Sequence, residues 1–278
     1  MPLASDATWF ITGCSSGFGR DLAELVLARG WRAVVTARDV AALEPLRQAH
    51  PQHCLPLALD VTDAQANQQA VQAALQRFGG IDVLVNNAGR GYLTAIEHAR
   101  AEDIRAIFEL NVFGLVDLTQ RVLPHMRHAR RGHILNVSST GGLLGRAGSG
   151  FYAASKFAVE GFSEALAQEV APFGIHVTLV EPSGFRTRFL GALLQGEVGE
   201  YEDTVGRRMR ATLDPQRRPA GDPQRAAHAI VRAVTDPAPP LRLPLGADAV
   251  QAVRDKVKLL ERDLAQWEQA ARGADFPG

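Results

Sequence analysis

The sequence predicts an α/β protein built on a single doubly wound parallel β-sheet of about seven strands, flanked by helices. Three observations carry that expectation. Short, near-continuously apolar runs alternate with longer stretches of helical period. Strands that are apolar along their whole length are buried on both faces, which requires helices on each side. The alternation is strand–helix rather than strand–strand, which selects parallel pairing through crossovers. A chain of 278 residues, 46% of them hydrophobic, is long enough for one sizeable core, so residues 1–278 read as one domain.

The first strand falls at residues 9–12, followed by a helix over 17–29. Residues 33–37 and 55–59 give the second and third strands. A polar helix over 64–78 keeps Ala70, Val71, Ala74, Leu75 and Phe78 on one face. Residues 81–85 (IDVLV), 133–137 (HILNV) and 175–180 (IHVTLV) are the next strands, and 241–245 a short seventh. Long helices fill 102–127 and 152–173. Right-handed crossovers put every strand's carboxyl end on one edge, where ligands bind.

Two regions break the rhythm. Residues 188–222 contain no strand of their own and mix Phe189, Leu190, Leu193, Leu194, Tyr201 and Met209 with Arg207, Arg208 and Arg210. An insertion this long at the carboxyl edge reads as a substrate-binding loop or lid. Residues 247–272 form an amphipathic helix, with Val253, Val257, Leu260, Leu264 and Trp267 at steps of four and three, expected to pack against the body or a sister subunit.

Thirty basic side chains balance thirty acidic ones, which argues against a nucleic-acid partner. Two cysteines, Cys14 and Cys54, make no disulfide framework and read as reduced thiols. The amino terminus lacks a basic region leading into an apolar stretch, and no uninterrupted apolar run reaches about 18 residues. A cytoplasmic protein with no membrane partner is the expectation.

Thr12-Gly13-Cys14-Ser15-Ser16-Gly17-Phe18-Gly19 follows the first strand and opens a helix. Glycines there let the backbone turn sharply and approach a pyrophosphate, while the helix start offers unpaired N–H groups. The second strand ends Ala37-Arg38-Asp39. An acid at that place holds a ribose 2′-hydroxyl, whereas an arginine suits a 2′-phosphate. Arg38 therefore favours NADP(H). Asp39 leaves NAD(H) open, but is better read as a helix N-cap.

Tyr152 and Lys156 are four apart near the start of a helix, hence on one face. A neighbouring ammonium stabilises a phenolate and lowers its pKa, fitting tyrosine for acid–base work. Ser138 and Ser139 end the fifth strand, at the edge where a substrate would lie; they are equally able simply to cap the strand. His125 with His128, and His50 with His53 beside Cys54, recruit no acids at ligand spacing, so no metal is expected.

Together these motifs resemble the short-chain dehydrogenase/reductase family, and its hydroxysteroid and retinol dehydrogenase branch in particular. The resemblance covers nearly the whole chain and implies a Rossmann fold. It implies a catalytic set of Asn111, Ser139, Tyr152 and Lys156. Tyr152 would be the acid in reduction and the base in oxidation. Lys156 would hold the nicotinamide ribose, Ser139 would orient the substrate oxygen, and Asn111 would position a water in a proton relay.

The same likeness places the cofactor on Gly13, Ser15, Ser16, Gly17, Phe18 and Gly19, on Arg38, and on Asp60 and Val61 after the third strand. It adds Asn87, Ala88 and Gly89 of the Asn-Asn-Ala-Gly stretch, then Pro182, Gly184, Phe185 and Thr187 after the sixth strand, where Ser183 replaces the family's usual glycine. It implies NAD(P)-dependent interconversion of carbonyls and alcohols, a fairly bulky apolar substrate, and a homodimer or homotetramer.

Overall fold

The computed structural model describes residues 3–276. In chain order the elements are β1 (Thr8–Ile11), α1 (Gly17–Ala28), β2 (Arg32–Ala37), α2 (Glu44–Ala49), β3 (Cys54–Ala58), α3 (Ala64–Phe78), β4 (Val83–Asn86) and β5 (Tyr92–Leu93). There follow α4 (Ala101–Phe108), α5 (Gly114–Ala129), β6 (Gly132–Val137), α6 (Gly150–Val170), β7 (Ile175–Pro182) and β8 (Leu194–Gln195). The chain then forms α7 (Arg207–Leu213), α8 (Pro223–Thr235), β9 (Arg242–Leu245) and α9 (Ala247–Arg272).

Seven strands form one parallel sheet in the order β3-β2-β1-β4-β6-β7-β9. β1 and β4 are buried at every position, which is why they read as unbroken apolar runs. One core joins this sheet to α1 and α8 through Leu22, Val26, Ile230 and Val231. The other joins it to α3, α5 and α6 through Val71, Leu118, Val122 and Leu166. The order reverses between β1 and β4, so their carboxyl ends open a crevice, and the loop after β1 lies in it.

Local chemistry sets the boundaries. Asp63 and Asp222 cap α3 and α8 by accepting hydrogen bonds from backbone N–H groups two and three residues on. Gly79, at φ 81°, ends α3 in the left-handed region. Asp39 accepts from the N–H of Ala41 at 3.0 Å, so it is an N-cap of the turn that follows β2.

Two expectations are corrected. The single helix over 102–127 is two helices joined by a wide turn, Glu109–Phe113, in which the N–H of Gly114 bonds the carbonyl of Glu109. Such an extra-residue turn leaves no trace in an apolar period, and it places Asn111 at its centre. The 188–222 insertion does contain a strand: β8 pairs with β5 in a second, two-stranded sheet, and α7 follows it. A two-residue strand is too short to carry alternation. The start of α9 packs on the body through Ala249 and Ala252, and from Val257 onward its residues are exposed.

Candidate active site

The glycine loop is built from both sides of the crevice. Thr12 Oγ1 accepts from the N–H groups of Asn87 and Ala88, each at 2.9 Å, and Asn87 Nδ2 donates to the carbonyl of Thr12 at 2.7 Å. Asn87 is thus a brace that locks the β1 and β4 loops together. Gly13 and Gly17 have φ of +72° and +62°. A Cβ at Gly19 would stand 2.5 Å from the Gly13 carbonyl oxygen and 2.6 Å from Asn87 Nδ2. Gly19→Ala must therefore shift the loop. We expect cofactor affinity to fall by about tenfold or more with a stability loss of about 1–3 kcal/mol. NADPH fluorescence titration and urea unfolding check this, and unchanged values would remove the loop from cofactor binding.

α1 begins with no side-chain cap at Ser16 and no acid in its first turn, so its leading N–H groups are left for an external acceptor. Beside them lies a cavity of about 730 Å³ lined by Ser15, Ser16, Gly17 and Thr187, by Arg20, Arg186, Arg188, Arg217 and Arg218, and by the acid Asp21. Phe18 stacks edge-on against Phe185 at 4.8 Å, closing the loop after β7 onto the glycine loop. Gly184 leaves room for the Arg217 guanidinium. Pro182 ends β7, and the Ser183 hydroxyl bonds the carbonyl of Leu245 at 3.3 Å, which accommodates the departure from glycine. An uncapped helix start, glycines in the left-handed region and a predominantly basic cavity wall fit a dinucleotide's phosphates.

Arg38 is exposed immediately after β2. Asp60 is also exposed; its Oδ1 accepts from the N–H and hydroxyl of Thr62, at 3.0 and 2.8 Å, so it orders the turn after β3. Val61 is buried, and its carbonyl backs against Gly114.

The four expected catalytic residues converge. Gly89, whose added Cβ would lie 3.1 Å from Asn111 Oδ1 and 3.6 Å from Lys156 Nζ, marks the point where two of them meet. Gly141 does the same for Tyr152 Cε1 at 3.1 Å and Ser139 Oγ at 3.4 Å. Lys156 is buried and donates to the carbonyl of Val137 at 2.8 Å. The Ser139 hydroxyl accepts from the N–H of Gly141 at 3.0 Å, so it caps the turn after β6 and also faces the tyrosine. Asn111 is fully engaged: Oδ1 accepts from the N–H of Arg90 at 2.9 Å, and Nδ2 donates to the Arg90 carbonyl at 2.9 Å and to Ser155 Oγ at 3.1 Å. Its amide donors are both spent, so the Asn111 side chain ties the loop after β4 to α6.

The electrostatics differ from the expectation for Tyr152. Burial pushes its phenol above the ordinary value near 10, opposed by a hydrogen bond with Ser139, and no lowering by Lys156 accompanies these. Lys156 is itself pushed down to about 8 by burial, with Glu160 pulling it back up. Glu160 is a residue that sequence reasoning missed, although it lies one turn beyond Lys156 on the same helix. It is buried, bonds the Ser138 hydroxyl, and shares Arg242 of β9 with Glu181. Phe189 was placed in the lid; its ring lies 6.0 Å from that of Tyr152.

Buried thiols complete the picture. Cys14 and Cys54 are free, and burial drives them to about 12 and about 11, so neither is a nucleophile at neutral pH.

A parallel doubly wound sheet with a phosphate-ready glycine loop and a tyrosine–lysine pair at the crevice defines the class of nicotinamide-dependent oxidoreductases. Residues 7–197 match the model of the short chain dehydrogenase family, and the chain belongs to that family. It is 40% identical to a 3-ketodihydrosphingosine reductase of Bacteroides thetaiotaomicron, covering 85% of this chain and 86% of that protein. It is 36% identical to human retinol dehydrogenase 8, covering 86% and 81%.

Among solved structures, a short-chain dehydrogenase from Streptomyces avermitilis superposes with a TM-score of 0.92 at 43% identity, over 98% of this chain and all of that one. A Brucella melitensis 3-ketoacyl-(acyl-carrier-protein) reductase complexed with NADH gives 0.72 at 29% identity, over 84% and 93%. A metagenomic short-chain oxidoreductase complexed with NADP gives 0.70 at 25%, over 87% and 96%. Among the described residues no helix is long and apolar enough to cross a membrane.

Proposed function

We propose that this oxidoreductase interconverts a carbonyl and an alcohol on a fairly bulky, apolar substrate with NADP(H), and that it works as a homodimer or homotetramer in the cytoplasm. The convergence of Ser139, Tyr152, Lys156 and Asn111 beside the glycine loop carries this reading. When bound, the nicotinamide supplies or accepts the hydride. In reduction Tyr152 gives its phenolic proton to the carbonyl oxygen; in oxidation the phenolate takes the alcohol proton. Ser139 orients that oxygen, and Lys156, anchored on the Val137 carbonyl, would hold the cofactor ribose. Asn111 holds the loop after β4 that flanks them.

The 188–222 segment serves as the lid. Phe189 over Tyr152 and the apolar cluster of Leu93, Ala95, Val205 and Met209 support an apolar substrate wall. A screen of NADPH oxidation across ketones, aldehydes and retinoid or steroid carbonyls tests the proposal. Tight NADPH binding with turnover of none of them would favour a cofactor-sensing protein instead.

The NADP(H) preference rests on Arg38 as the cation beside the β2 terminus, with Asp39 spent on its cap. For Arg38→Ala we expect the Kd for NADPH to rise about tenfold to hundredfold, with NADH changed by less than about threefold. Fluorescence titration with each cofactor measures both, and equal losses would sink the preference.

A further inference from the structure

The end of α9 presents an apolar seam that the described residues of this chain do not cover. The helix touches the body through Ala249 and Ala252, both buried, and through Lys256, whose ammonium lies 6.0 Å over the Phe157 ring. Farther along, Val257, Leu260, Leu264 and Trp267 are 47, 55, 62 and 63% exposed. With Val250 and Val253 they alternate steps of three and four, which is the seam of a two-stranded coiled coil. The seam is about 26 Å long. Most helical stability in a protein comes from packing an apolar face, and a seam of this period is satisfied by another helix that shares it.

We propose that this seam docks a second copy of the chain, the two α9 helices lying antiparallel with Val257 against the partner's Leu260, Val253 against the partner's Leu264, and Val250 against the partner's Trp267. The inference rests on the homo-oligomer reading above and names its surface. Charge selects the arrangement. Residues flanking the seam face their counterparts across it, so in this register Arg254 meets the partner's Glu261 and Lys256 meets the partner's Asp263, each contact occurring twice by symmetry. Sliding by seven residues one way sets Arg254 and Lys256 against their own copies. Sliding the other way sets Glu261 and Asp263 against theirs. A parallel pair would oppose Asp263 to the partner's Glu268. Only the proposed register among these is free of like-charge contacts; it sets Glu268 against the partner's Ala247. The balance of acid and base along Ala247–Arg272 also disfavours a membrane surface, for which a predominantly basic polar face is the fit.

The test is the mass of the full chain by sedimentation and light scattering, with circular dichroism and NADPH binding confirming that each variant is folded. Leu260→Asp combined with Leu264→Asp should halve the mass. Arg254→Glu should weaken self-association about tenfold or more at low salt, and adding Glu261→Arg should restore it by re-forming the pair in reverse. A monomeric wild type would sink both this surface and the homo-oligomer reading. A multimeric wild type unaffected by the double leucine variant would sink the surface alone, and failure of the charge swap to restore association would overturn the antiparallel register. A monomeric wild type that binds vesicles of mixed phosphatidylcholine and phosphatidylserine, and loses them on Leu264→Asp, would assign the seam to a membrane instead.

Discussion

Tyr152→Phe is expected to lower both carbonyl reduction and alcohol oxidation by about 10³-fold, while NADPH affinity stays within about twofold of wild type. The argument is one of role. The phenol oxygen is the group placed to exchange a proton with the reacting oxygen, whereas the ring packs beside Phe189 and Gly141 and phenylalanine keeps that packing. Burial raises the phenol above its ordinary value, so the protonated form needed for reduction persists through neutral pH. Oxidation needs the phenolate, so its rate should climb as pH rises from neutral into the alkaline range.

Lys156 adds a second pH dependence. At about 8 it passes from ammonium to amine as pH rises, and reduction should decline across that interval. The pH profiles of kcat/KM in both directions read these effects. A phenylalanine variant retaining more than about a tenth of wild-type turnover would remove Tyr152 from the chemistry.

The sheet was legible because its signals are local: β1 and β4 carry apolar residues at successive positions, and the Gly13–Gly19 spacing sits between a strand and a helix. The tyrosine and lysine were legible for the same reason, being four apart on one helix. What escaped is long-range. Arg242 lies on the last strand, and no feature of its neighbours says that it meets Glu160 and Glu181 from elements far away in sequence. Asn87 carries the same sequence signal as a ligand residue, yet only the folded loops show that it braces Thr12. The phenol's shift escaped too, because spacing fixes that Lys156 is near Tyr152 but not that Lys156 turns its ammonium to the Val137 carbonyl. Burial is a property of the assembled crevice.

Arg242→Ala is expected to cost about 3 kcal/mol of stability at pH 8 and markedly less at pH 5. Its Nη1 bonds Glu181 at 2.6 Å and also Glu160, while Nη2 reaches Glu164 at 2.5 Å. Burial works against the charge on Arg242, but these carboxylates more than offset it and hold its pKa up. Glu160 and Glu181 are both raised by burial, Glu160 to about 7, so the folded state holds protons that the unfolded chain has released. The contribution of Glu160 is therefore fully present below its unfolded value near 4.5 and is lost as pH rises towards about 7. Without the guanidinium, two buried carboxylates face each other at pH 8, and protonation relieves them at pH 5. Urea unfolding at both pH values measures the difference, and Arg242→Lys should recover part of it. Because Glu160 also bonds Ser138 at the end of β6 and acts on Lys156, the alanine variant should shift the pH profile of catalysis as well as the unfolding midpoint. A stability loss equal at the two pH values would mean that Arg242 acts by packing and not by charge.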